Sequence, residues 1–137
     1  MPSDIRNKFE QAVRDEDEKS LGRLRASRES TRLAEERFVT VRQAAEELRE
    51  QIRPVPNIEF TVNPDSVWIV LADRDLRFTY AAESLKFTCE EGAHSWYDGE
   101  EYSDRYEWDD ADACIDAMIR LCAKYVRMAR AISAAST

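Results

Sequence analysis

Between Ile58 and Cys89 apolar and polar residues alternate in four short runs, and this pattern constrains the fold more than any other part of the chain. The apolar sets are Ile58, Phe60 and Val62; Val67, Ile69 and Leu71; Leu76, Phe78 and Tyr80; and Leu85, Phe87 and Cys89. Side chains on a strand point alternately to opposite faces, so all four sets belong to one side of an antiparallel sheet. The connections Asn63–Ser66, Asp73–Asp75 and Ala82–Ser84 are short, which makes successive strands neighbours in a meander. The second run is apolar on its other face too, through Trp68, Val70 and Ala72. Such a strand is central or covered on both faces, or else Trp68 and Val70 are the middle of an exposed interface patch.

Helices are expected on both sides of this sheet region in sequence. Residues 3–53 read as helical, with Ser3 or Asp4 as the N-cap and Pro54 and Pro56 as the stop. Ile5, Phe9, Ala12 and Val13 share a face, and Leu21 and Leu24 resume it. Phe38, Val41, Ala45, Leu48 and Ile52 then repeat at threes and fours, the seam of a coiled coil, which predicts a homodimer through residues 38–52. Gly22 and the scarcity of apolar residues between Leu24 and Phe38 leave two arrangements open: one long helix, or two hinged near Lys19–Gly22. Interleaved Arg and Glu fit a solvated helix face. Residues 110–133 form the last helix, opened by Asp109 and Asp110. Its stripe of Ile115, Met118, Ile119, Cys122, Tyr125, Val126, Ala129 and Ile132 should pack on the sheet. The expectation is an α+β fold in one domain, residues 1–137: a long N-terminal helix, an antiparallel meander of four to six strands over 57–108, and a C-terminal helix across one sheet face.

The segment Glu90–Asp112 has the most unusual chemistry. It holds ten acids against one base, Arg105, a local charge of −9 in a chain whose total is −8. Trp96, Tyr97, Tyr102, Tyr106 and Trp108 are interleaved with the acids. Asp98-Gly99 suits a tight turn, so residues 93–97 and 101–107 read as a β-hairpin. Tyr102, Tyr106 and Trp108 then share one face, and Ser103, Arg105 and Glu107 the other.

No motif of enzyme chemistry occurs. His94 is the single histidine, and no zinc spacing exists around Cys89, Cys114 and Cys122, so no metal site is expected. Asp109, Asp110 and Asp112 form the best local acid cluster, which reads as a helix cap. Three glycines, Gly22, Gly92 and Gly99, supply no phosphate loop or dinucleotide fingerprint, and no cofactor is expected. An odd cysteine count without a CxxC pair fits reduced, buried thiols and a cytoplasmic protein. No leader is visible at the N-terminus and no run approaches the roughly 20 apolar residues of a membrane span. The negative charge argues against direct binding of nucleic acid through its phosphates.

The reading that follows is a non-catalytic acidic protein that binds a partner protein with a basic surface. Its contact residues would be Trp96, Tyr97, Asp98, Glu100, Glu101, Tyr102, Asp104, Tyr106 and Trp108, with Trp68 and Val70 as a second patch. Tyr and Trp give contact area at low entropic cost, and carboxylates steer association. One alternative is a nucleic-acid-mimicking inhibitor of a host-defence type nucleic-acid-binding protein. A second is a small enzyme using a carboxylate pair. The plainest alternative is a solvated hairpin whose charges block unwanted strand pairing.

Overall fold

The computed structural model of the chain describes residues 2–94 and 101–135. Its elements run α1 (Pro2–Ile52), β1 (Ile58–Val62), β2 (Ser66–Leu71), β3 (Arg74–Ala81), β4 (Lys86–His94), β5 (Glu101–Trp108) and α2 (Ala111–Ala135). The contacts divide the chain into two compact units, residues 1–32 and 33–137, and α1 contributes to both.

In the first unit the helix is unbroken through Gly22, and every described side chain from Asp4 to Arg32 is exposed. Its pairs are local: Arg6 Nε to Glu10 at 3.3 Å, Lys19 Nζ to Glu16 at 3.8 Å, and the Gln11 amide donating to Asp15 at 3.0 Å. Each is a surface contact worth a few tenths of a kcal/mol, about 0.2–0.5.

The second unit is α+β. Five antiparallel strands stand in the order β1-β2-β3-β4-β5. The register sets Val67 opposite Phe78, Phe78 opposite Cys89, and Cys89 opposite Tyr106, so the apolar sets share one face. That face carries the core: Val67, Ile69, Leu71, Leu76, Phe78 and Cys89 from the sheet, Phe38, Val41, Ala45 and Ile52 from α1, and Met118, Cys122, Tyr125 and Ala129 from α2. The apolar seam of residues 38–52 is therefore spent inside the chain. Phe38 is 0% exposed, so these residues present no free stripe for the homodimer expected from their spacing.

Several local expectations are corrected. Phe87–Cys89 and Ala93–His94, the described start of the expected hairpin, belong to one strand, β4, so the sheet has five strands, within the four to six expected. Leu85 is not on the core face: it is exposed, with φ of 55°, in the turn before β4. The second turn is tighter than read, with Ala72 at φ 53° and Arg74 and Asp75 already in β3. On α2 the buried sector is turned relative to the sequence stripe. Cys114 and Ala117 are buried, while Ile119 is 50% exposed and Ile132 also reaches solvent. Small side chains at 114, 117, 122 and 129 let this helix lie close to the sheet, and the bulkier isoleucines are displaced to its flanks. Asp110 caps it: Oδ1 accepts the Ala113 N–H at 2.7 Å. At the far end, Asn57, whose φ of 70° suits Asn, donates from Nδ2 to Ser133 Oγ at 3.1 Å and ties α2 to the entry of β1.

The opposite sheet face is open. Thr61, Trp68, Arg77, Glu90 and Arg105 form one row across all five strands, and all are exposed. β2 is interior to the sheet, as its two apolar faces suggest, but it is not covered on both sides. Trp68 Nε1 donates to Asp75 Oδ2 at 3.1 Å. Gly92, opposite Asp75, makes room for that carboxylate; a Cβ there would meet Asp75 Oδ1 at 2.6 Å.

Candidate functional site: the β4–β5 ribbon

Among the described residues β5 is an edge strand, paired with β4 on one side only. Its sequence is acidic and aromatic, and the pleat sorts these residues by face. Asp104, Tyr106 and Trp108 lie opposite Glu91, Cys89 and Phe87 on the helix-covered side. Ser103, Arg105 and Glu107 lie opposite Gly92, Glu90 and Thr88 on the open side. Residues Ser103–Glu107 are all exposed.

Two carboxylates face each other directly across the ribbon, Glu91 and Asp104. Like charges in register cost stability. Glu91 is partly compensated, because its Oε2 accepts the Tyr125 hydroxyl at 3.3 Å. Burial, with the negative charge of Glu91 behind it, holds the Tyr125 phenol well above its ordinary range, so it stays a proton donor. Tyr106 is shifted upward as well, by desolvation and then by Glu91 and Asp104. On the open face Arg77, Glu90 and Arg105 alternate in sign along one row. Arg105 also pairs with Glu107 at 3.2 Å, and Lys86 reaches Asp109 at 3.5 Å. Glu90 and Asp104 have no ion pair among the described residues.

The rings form a short stack. Trp108 lies 6.3 Å from Phe78 and 6.3 Å from Tyr106, with interplanar angles of 17° and 18°. Trp108 closes the core while Tyr106, 37% exposed, extends it toward solvent. Between this stack and α2 runs a groove of about 340 Å³, lined by Tyr106, Trp108, Ala117, Arg120, Leu121 and Lys124. The sequence offered Arg120 and Lys124 only as cations suited to the C-terminal end of a helix. Their spacing of four, flanking Ala117 and Leu121, is the signal that they share a wall.

Of the residues singled out from sequence, Asp104, Tyr106 and Trp108 come together here. Glu101 and Tyr102 lie in β5 by backbone, but their side chains fall outside the described residues. Trp96, Tyr97, Asp98 and Glu100 also fall outside them. Trp68, 49% exposed, and the half-buried Val70 sit on the open face, on β2 rather than on the ribbon. Among the described residues no group of three or more His, Cys, Asp or Glu could hold a metal ion, and no helix is long and apolar enough to cross a membrane. A second groove, about 450 Å³, lies between α1 and α2 and is lined by Leu48, Ile52, Val55, Ile119 and Val126 among others, with no carboxylate. No family model, curated protein or solved structure matches the chain.

Proposed function

We propose that the protein is a non-catalytic binding module that docks a partner protein with a basic surface along the β4–β5 ribbon. The observation that carries this reading is the edge position of β5, with Asp104 exposed and without an ion pair among the described residues on the face that carries the stacked, partly exposed Tyr106, and Glu90 in the same state on the open face. An edge strand offers unpaired backbone groups for a partner segment. The carboxylates select cations and raise the rate of encounter. The groove beside Tyr106 and Trp108 has room for an apolar side chain of the same partner. The three free, buried cysteines fit work in a reducing compartment such as the cytoplasm.

The test compares the native chain with an E100K/E101K/D104K variant as bait in the source cell, then measures the recovered partner by calorimetry. The reading expects a partner held by the native chain and lost from the variant, with affinity that weakens as salt rises. Equal binding of both chains removes the ribbon as the site. Competition by DNA or RNA for the same partner would favour the nucleic-acid-mimic reading instead.

A further inference from the structure

The helix over residues 4–32 displays an uncovered apolar stripe. Ile5, Phe9, Val13, Leu21 and Leu24 are all large, apolar and exposed, Phe9 by 69%. In proteins most helical stability comes from packing such a face against another surface. The charges of the segment are not evenly mixed. From Asp4 to Glu18 there are six acids and three bases; from Lys19 to Arg32 there are five bases and one acid. The segment is thus negative in its first half and positive in its second, and the sign changes between Glu18 and Lys19.

We infer that this segment pairs with the same segment of a second copy, and that the two helices run antiparallel. A parallel pair would set acidic half on acidic half and basic half on basic half. An antiparallel pair sets each acidic half against a basic half, which is the self-complementary arrangement of a two-fold interface. At about 100° per residue, Glu10 and Asp17 border the stripe on the Val13 side in the first half and Glu16 falls between Ile5 and Phe9; in the second half Arg28 falls between Leu24 and Leu21, and Lys19 and Arg23 lie toward the other edge. Centring the crossing on the sign change brings Val13 of one copy to Leu24 of the other, and Glu10 beside Arg28. Opposite charges along the facing surfaces are what selects the orientation of a helix pair. This surface is separate from the β4–β5 ribbon and uses none of the residues proposed there.

The test is the oligomeric state of the full-length chain by sedimentation velocity over a range of concentrations. A reversible dimer is expected. V13E with L24E should give a monomer. R23E with R28E should weaken the dimer about tenfold or more, and adding E10K with D17K should restore it. Orientation is read with a short bifunctional thiol reagent, since the native cysteines are buried. S20C, near the crossing, should cross-link, and A12C should not, being about 20 Å from its copy along the axis. A monomer at every concentration, a dimer indifferent to V13E/L24E, or cross-linking of A12C in preference to S20C would overturn the inference.

Discussion

The same substitution at two points of α1 should have opposite consequences. Phe38 is 0% exposed and belongs to the core shared by α1, the sheet and α2; Phe9 is 69% exposed. A buried phenylalanine removes roughly 150–250 Å² from water. At about 25 cal/mol per Å² that is roughly 4–6 kcal/mol, an upper figure because the unfolded chain already hides part of that surface. Truncation to alanine leaves a cavity in this shared core, and large-to-small changes of this kind cost about 3–5 kcal/mol. Phe38→Ala should therefore remove a large share of the stability of a domain this size, about 5–15 kcal/mol. Phe9→Ala, measured at low protein concentration so that association does not contribute, should stay within about 0.5 kcal/mol of the parent. Urea unfolding followed by far-UV circular dichroism and by tryptophan fluorescence checks both, with the slope expected to stay constant. A cost below about 1 kcal/mol for Phe38→Ala, or equal costs at the two sites, would refute the assignment of the 38–52 seam to the intramolecular core.

Asp110→Ala removes the oxygen that accepts the Ala113 N–H at 2.7 Å; thermal unfolding should show a loss of about 0.5–2 kcal/mol, with Asp110→Asn close to the parent. Gly22→Ala adds a Cβ into open space within a continuous helix, so local helix stability should rise by about 1 kcal/mol and the far-UV signal should grow, with no loss of global stability. Burial raises the thiols of Cys114 and Cys122 from an ordinary value of 9.0 to about 12, and Cys89 higher still. The folded state then holds protons that the unfolded state releases. Stability from these groups is complete below pH 9, the unfolded value, and falls as pH rises toward about 12. Urea midpoints at rising alkaline pH check this, and an aromatic disulfide reagent should leave all three thiols unreacted in the native state near neutral pH.

Much of the fold was legible because the sheet obeys a strict period of two. Phe60, Ile69, Phe78 and Cys89 repeat the alternation without interruption, and short turns leave a meander as the natural order. The role of the 38–52 seam was not legible. Phe38, Val41 and Ala45 carry the same three-and-four spacing whether the facing surface is another copy or the chain's own sheet, and periodicity cannot tell the two apart. The rotation of α2 was missed for a related reason. Hydrophobicity ranks Ile119 above Cys114 and Ala117, whereas close approach to a sheet rewards small side chains. At the ribbon, the facing of Tyr106 and Trp108 follows from alternation alone. The groove they form with Arg120 and Lys124 depends on the angle at which α2 crosses the sheet, and no local pattern records that angle.

Hydrogen–deuterium exchange of the native chain, with and without its recovered partner, tests the docking surface most directly. The account predicts that added protection falls on residues 88–108, strongest along the β5 edge, and leaves residues 4–32 unchanged. Protection confined to α1, α2 or the β1 edge, with β5 exchanging as in the unbound chain, would contradict it.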